Sequence, residues 1–261
     1  MGFQTRVSEL AIVLPTYNEA DNLALVVREL EHLEEDLEVL VVDDNSQDGT
    51  QQVAQELSRA YGNVTVIARP GKLGLGSALR LGLAEALETG ARYVITMDAD
   101  QSHDPRDVVR LLQAIRREAA DMVQGSRYVE GGGTRRMAVG RRWSSRVVNL
   151  IYHWLAGAPR ESTTNFRVFS RRAASLVAAR AKGRDYEFVP EAMLLVLAAG
   201  LAVGEVPIVF TGRARGSSKL GLKQAVKGVA SVFSASLQYR LRLGRFARPS
   251  SAGDGAGKLG R

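Results

Sequence analysis

The chain has 261 residues, 45% of them hydrophobic, with a formal net charge of +7 and no cysteine. That length suits one α/β domain with appendages, since single cores stop growing near about 250–300 residues, and the lack of cysteine excludes disulfides, thiolate nucleophiles and Cys-based zinc sites. Residues 1–100 hold 7 Lys/Arg against 17 Asp/Glu, net −10, whereas residues 101–261 hold 28 against 11, net +17; carboxylates suit a metal, and a basic surface suits phosphates or anionic lipid unless it is simply a solvated face.

The N-terminus enters a strand pattern within ten residues, without a basic region leading into an apolar stretch, so no signal peptide is expected. Short apolar runs at Leu10–Leu14, Val39–Val42, Val64–Ala68, Tyr93–Met97 and Met122–Gln124 predict buried strands. Helical patterns lie between them near Ala20–Leu33, Thr50–Ala60, Leu75–Leu87 and Pro105–Glu118. This alternation predicts a mostly parallel sheet flanked by helices on both faces. Next come a Gly/Arg-rich loop Glu130–Arg142, a helix Trp143–Leu155, strands at Val168–Phe169 and Val203–Phe210, and a helix between those strands near Tyr186–Ala199. The longest charge-free apolar run, Met193–Val203, falls short of the roughly 20 residues that span a bilayer. Leu222, Val226, Val229, Phe233 and Leu237 then recur at helical spacing among Lys223, Lys227, Arg240, Arg242 and Arg245. A membrane-surface helix and a helix packed on the core or on a partner both fit that stripe. Trp143, Tyr152 and Trp154 carry the same two readings, lipid-facing or core.

In parallel sheets ligands sit at the carboxyl ends of strands, so the residues following each strand matter most. They are Pro15-Thr16-Tyr17-Asn18-Glu19, Asp43-Asp44-Asn45-Ser46-Gln47-Asp48-Gly49-Thr50 and Asp98-Ala99-Asp100. Asp48 and Asp104 read as turn and cap residues. Asp98 and Asp100 read as ligands of a hard cation shared with substrate phosphates, because Asp43-Asp44 reaches the same edge and clustered carboxylates repel without a cation or donors. Arg69-Pro70-Gly71-Lys72-Leu73-Gly74-Leu75-Gly76 leads into a helix and fits either a phosphate contact or a plain helix entry. It is not a Walker A loop, nor a dinucleotide fingerprint, since Leu79 stands at the third glycine. Arg127, Arg135, Arg136, Arg141, Arg142 and Arg146 supply planar forks for a phosphate. His32, His103 and His153 form no ligand spacing, and Glu187 and Glu191 fit a solvated helix face.

Leu14-Pro15-Thr16-Tyr17-Asn18-Glu19, Val42–Thr50, Lys72–Gly76 and Met97-Asp98-Ala99-Asp100-Gln101-Ser102-His103 together resemble the inverting family-2 glycosyltransferases in order and spacing. Gly125-Ser126-Arg127-Tyr128, Asn165-Phe166-Arg167, Gly204–Ile208 and Gly216–Leu220 resemble the dolichol- and polyprenyl-phosphate mannosyltransferase branch. The resemblance covers Ala11 to Leu222 and implies a Rossmann-like nucleotide-diphospho-sugar transferase (type A) fold. It further implies transfer of mannose from GDP-mannose to dolichyl or polyprenyl phosphate, with Mg²⁺ or Mn²⁺ as cofactor. Pro15, Tyr17, Glu19, Asp44, Lys72, Asp98, Glu191, Arg213 and Lys219 would then bind the nucleotide sugar. Asp98, Asp100 and Ser102 would hold the metal, and Arg127, Arg141 and Ser145 the lipid phosphate; Asp98, Asp100 and Arg127 would carry the reaction. Glu161 stands where the family has Asp, Thr164 replaces a small residue, and Ser102 replaces Gln.

We accordingly divide the chain into a catalytic domain at 1–221, an amphipathic helix at 222–247 and a flexible tail at 248–261. The expected place is the cytoplasmic face of a membrane, peripherally bound, with room for a separate membrane-anchoring subunit. The alternatives are UDP-glucose or another nucleotide sugar as donor, a catalytically silent sugar-nucleotide binder, and a basic nucleic-acid-binding module. The carboxylate edge argues against the last, because it would repel a polyanion.

Overall fold

The computed structural model describes residues 8–212 and 234–246. In its first half β1 (Leu10–Thr16), α1 (Ala20–Glu31), β2 (Leu37–Asp43), α2 (Thr50–Tyr61), β3 (Val64–Ala68), α3 (Leu75–Glu88), β4 (Tyr93–Thr96), α4 (Asp107–Glu118) and β5 (Met122–Ser126) alternate as the periodicity predicts. Residues 10–14 of β1 are all buried, the pattern of a strand covered on both faces. Leu10, Ile12 and Leu14 point into one core layer with α1, α2 and α4, whereas Ala11 and Val13 point into another with α3 and its neighbours. Strand alternation thus distributes one apolar run between two cores.

The seven-stranded sheet runs β3-β2-β1-β4-β7-β5-β8, with β7 (Arg167–Ser170) antiparallel between β4 and β5. Strand order reverses at β1, which pairs in parallel with both β2 and β4. The crevice beyond the carboxyl ends of β1 and β4 is the switch point where open α/β sheets bind ligands.

The second half departs from expectation in four places and the first half in one. The loop at 130–142 contains β6 (Gly133–Arg135), and α5 (Val139–Ala156) starts four residues before Trp143. The run at 203–210 splits at Ile208 into β8 (Val203–Pro207) and β9 (Val209–Thr211), and β9 leaves the main sheet to pair with β6. α6 (Arg171–Arg180), unforeseen in an Arg/Ala-rich segment, is capped by Ser170, whose Oγ accepts from Ala173 N–H at 3.2 Å. α4 begins at Asp107 rather than Pro105, with Asp104 accepting from Arg106 N–H in the preceding turn. α7 (Phe188–Ala198) lies within its predicted span. Of the proposed C-terminal helix at 222–247, residues 222–233 and 247 lie outside the described residues; residues 234–240 form α8, and a 3₁₀ turn follows at Gly244–Phe246. No helix among the described residues is long and apolar enough to cross a membrane.

Candidate functional site

On the β2 side of the switch point the acidic residues are satisfied by hydrogen-bond donors. Asp43, wholly buried, accepts from Thr16 Oγ1, Ser46 N–H and Oγ, and Gln51 Nε2. Asp44 pairs with Arg69 and accepts from Gly74 N–H at 2.9 Å. These two carboxylates therefore need no cation; they tie the β2 turn to the Lys72–Gly76 loop. Asp48 binds Thr50 and Ala20 N–H, which is the turn role expected of it. Glu19 accepts from Asn22 Nδ2 at the start of α1. Tyr17 is exposed beyond β1, with the Lys72 ammonium 3.8 Å from its ring centroid, a cation–π contact that brings two predicted nucleotide-binding residues together. Pro15 is paired within β1.

Gly76 lets the start of α3 lie against the loop before α7: a Cβ there would sit 2.5 Å from Phe188 Cβ and 2.7 Å from Gly183 O. Glu191 on α7 is buried, accepting from Lys182 and Gly183 N–H at 2.9 and 2.7 Å. It thus supports this loop, while Glu187 takes the exposed face. Arg213 and Lys219 lie outside the described residues.

Past β4 the chain turns through Asp98, Ala99 and Asp100. Asp98 Oδ1 accepts from Asn165 Nδ2 at 3.0 Å, and Asp100 Oδ1 accepts from Ser102 N–H at 3.0 Å. Ser102 Oγ and His103 Nε2 are buried there without a hydrogen-bond partner. Two carboxylates two residues apart beside an orphaned hydroxyl form an all-oxygen set that fits a hard cation. No group of three or more His, Cys, Asp or Glu among the described residues is arranged to hold a metal, so an ion here needs substrate oxygens to complete its shell. His103 Nδ1 faces Asp98 N–H at 3.4 Å. Burial holds the ring's pKa below its ordinary value, against the charges of Asp98 and Asp100.

β5 ends at Ser126, which delivers Arg127 to the same sheet edge, two strand positions from β4. Arg127 Nε donates to Glu161 Oε2 at 2.7 Å, and Nη2 donates to Glu161 Oε1 at 2.8 Å, Thr163 Oγ1 at 2.8 Å and Ser145 Oγ at 3.2 Å. Burial alone would raise the Glu161 pKa, but Arg127 and the Thr163 hydrogen bonds outweigh it and keep the carboxyl below the usual range. Arg127 is correspondingly raised by Glu161 against the effect of burial. Ser145 also accepts from Tyr128 Oη at 3.1 Å. Arg141 stands in α5 four residues before Ser145. Arg167, wholly buried, donates from its two terminal nitrogens to Val189 O and Ser162 O, and burial pushes its pKa down to about 10.

His103 joins the two halves of the edge. Its ring stacks on Phe166 at 4.9 Å and meets Phe210 edge-on at 5.5 Å, and the Arg127 guanidinium lies 5.4 Å from the same Phe210 ring. Sequence reasoning gave no role to His103 or to Asn165, and noted Glu161 only as a departure. What would have exposed them is pairing across the sheet, which a linear pattern does not carry. Concavity would also mislead, because a cavity of about 740 Å³ between the carboxyl ends of α5 and α7, α6 and α8 is lined by none of the candidate residues.

The profile described as glycosyl transferase family 2 matches residues 11–176. Over 212 residues the chain is 37% identical to a polyprenol monophosphomannose synthase of Mycolicibacterium smegmatis, covering 80% of each chain. It is 36% identical over 212 residues to an undecaprenyl-phosphate mannosyltransferase of Micrococcus luteus, covering 80% of this chain and 86% of that one. A glucosyl-3-phosphoglycerate synthase from Mycobacterium tuberculosis, solved with Mn²⁺, uridine-diphosphate and phosphoglyceric acid, superposes with a TM-score of 0.66 at 19% identity, covering 94% of this chain and 80% of that one. That likeness establishes the fold.

Proposed function

We propose that this chain, which belongs to glycosyl transferase family 2, transfers mannose from GDP-mannose to a dolichyl or polyprenyl phosphate. The observation that carries this reading is the shared sheet edge: the Asp98–Asp100 turn and the Arg127–Ser145 group meet through His103 and Phe210. One end suits a leaving diphosphate and the other an acceptor phosphate. The two relatives, a polyprenol monophosphomannose synthase and an undecaprenyl-phosphate mannosyltransferase, support mannose and a polyprenyl phosphate as the transferred and receiving groups.

In this reading an acceptor-phosphate oxygen forms a bond to the anomeric carbon while the bond to the diphosphate breaks on the opposite face, inverting configuration to a β-linked product. The nucleophile is already anionic, so little general-base help is needed, and no proton has to reach His103. Asp98, Asp100 and Ser102 would hold Mg²⁺ or Mn²⁺, which neutralises charge developing on the departing diphosphate. Asn165 orients Asp98 through its 3.0 Å hydrogen bond, and Lys72 above Tyr17 offers a cation at the nucleotide side. Arg127 and Ser145 receive the acceptor.

The outward face of α5 supports peripheral contact with a membrane, at its cytoplasmic face in this reading. Val139, Trp143, Val147, Leu150 and Trp154, spaced at helical intervals, are exposed, the two tryptophans by 64% and 70%. Among the described residues nothing covers them, and Arg142 and Arg146 are exposed beside them. Ser145 and Asn149 occupy the opposite, inward face, where they reach Arg127 and Glu161. Interfacial helices pair aromatic anchors with Arg in this manner, so one helix would contact lipid on one side and the lipid's phosphate on the other. Replacing both Trp143 and Trp154 with Ala should weaken co-sedimentation with anionic vesicles by about tenfold; undiminished sedimentation would remove α5 from the contact.

The test of the activity is transfer of labelled sugar from GDP-mannose, and in parallel from UDP-glucose, to polyprenyl phosphate in detergent with Mg²⁺, Mn²⁺ or chelator. The expected result is chelator-sensitive mannolipid. Glucolipid instead would replace the donor assignment, and no lipid product from either donor would overturn the reading.

A further inference from the structure

We infer that Glu161 is a positioning residue for the acceptor: it grips Arg127 along one edge and so presents the opposite corner of the guanidinium to the incoming phosphate. The inference rests on the proposed acceptor role of Arg127. Glu161 is wholly buried, and its Oε1 accepts from Arg127 Nη2, Thr163 N–H, Thr163 Oγ1 and Asn149 Nδ2, while Oε2 takes Arg127 Nε. With Nε and Nη2 engaged, Nη1 is the guanidinium nitrogen that makes no hydrogen bond among the described residues. The planar fork converts that two-point grip into a fixed direction for Nη1.

Glu161 is itself held from outside the cluster. Its N–H donates to Glu205 Oε1 at 2.9 Å, the adjoining Arg160 N–H donates to Glu205 Oε2 at 3.1 Å, and its carbonyl accepts from Gln124 Nε2. Glu205 lies on β8 and Gln124 on β5, so the carboxylate's backbone is anchored to two neighbouring strands of the rigid sheet, as a precisely held site requires. Stability is a poor explanation for such a pair, because burying two charges costs about what their attraction returns. Nor does the pair neutralise the pocket outright. Arg167 adds a second buried cation within the influence of Glu161, but its terminal nitrogens are committed to Ser162 O and Val189 O. Arg167 Nε also lacks a partner but is buried, so among the terminal nitrogens of the two arginines Arg127 Nη1 is the one left to offer a ligand. The length of the side chain suits a positioning role, since Glu, standing where the family resemblance expects Asp, spans from the 161–164 loop to both nitrogens of Arg127.

Glu161→Gln keeps shape and removes the charge; Glu161→Asp keeps the charge and shortens the reach. Both are compared with the wild type by KM for polyprenyl phosphate, KM for the sugar nucleotide, kcat and thermal midpoint. We expect Glu161→Gln to raise the acceptor KM by about 10- to 100-fold, with the donor KM within twofold of wild type, and Glu161→Asp to recover at least part of the loss. A fall in kcat and midpoint with both KM values unmoved would mark a structural role and overturn the inference, as would equal changes in both KM values. Should Glu161→Gln not fold, Thr163→Val decides: it deletes a single hydroxyl bridging Glu161 and Arg127, and a several-fold rise in acceptor KM alone supports the inference, whereas no change rejects it. If Arg127→Ala raises the acceptor KM but neither Glu161→Gln nor Thr163→Val does, this inference fails and the acceptor reading stands. A wild type that makes no lipid product overturns both.

Discussion

Asp100→Asn should lower metal-dependent transfer by about a thousandfold in kcat, with the thermal midpoint within a few degrees of wild type. The substitution keeps the shape of the turn, because the Asn side-chain oxygen can still accept from Ser102 N–H, the 3.0 Å bond that Asp100 makes. What disappears is a full negative charge at a site suited to a cation. Metal ions supply several kcal/mol of charge stabilisation in a transition state, and a loss of about 4 kcal/mol corresponds to roughly a thousandfold in rate. Asp98 Oδ1 accepts from Asn165 Nδ2, a bond an Asn oxygen can also accept, so Asp98→Asn should lower the rate in the same way. The measurement is initial rate against Mn²⁺ and Mg²⁺ concentration at saturating donor. Loss of rate with a raised metal requirement supports the assignment. Near-normal turnover at the same metal concentration removes Asp100 from the metal site.

The fold up to residue 126 is legible because each strand there is a short, continuous apolar run and each helix carries one apolar stripe, so the two periods separate cleanly. Legibility ends where identity depends on partners. β7 is predicted as a strand at Val168–Phe169, but no local signal carries its insertion antiparallel between β4 and β5. β6 and β9 are three residues each and exist by virtue of each other. α6 has an Arg/Ala-rich sequence whose buried side chains are Ala173, Ala174 and Val177, too small a stripe to stand out.

The candidate site divides along the same line. Asp98 and Asp100 fall at the end of a predicted strand, where the rule about parallel sheets directs attention. The four carboxylates of the edge, taken together from sequence as a group that repels, separate in the structure. Asp43 and Asp44 are matched by donors from Thr16, Ser46, Gln51, Arg69 and Gly74, and the metal argument therefore narrows to Asp98 and Asp100. Glu161 is 34 residues from Arg127 in the chain, and nothing in a one-dimensional pattern brings them together.

Arg127→Ala tests the other end of the site, and its consequences for stability and for binding must be read apart. Removing the guanidinium leaves Glu161, wholly buried, without its two-point partner; breaking a buried pair in this way costs about 3–5 kcal/mol of stability. For a chain of this size that is a midpoint lower by roughly 6–20 °C, taking about 2–4 °C per kcal/mol. Truncating a buried, charge-assisted contact to the acceptor costs about 2–4 kcal/mol of binding, or roughly 30- to 1000-fold in kcat/KM for polyprenyl phosphate. The donor KM should not move, because no nucleotide-side residue among those described touches Arg127. Arg127→Lys separates the two effects: it keeps a charge near Glu161 and so most of the stability, but a point ammonium cannot grip both carboxylate oxygens along one edge and still offer a directed donor. We therefore expect Lys to restore the midpoint more fully than it restores the acceptor KM. Equal loss of donor and acceptor affinity in Arg127→Ala would instead make this arginine a structural support of the sheet edge.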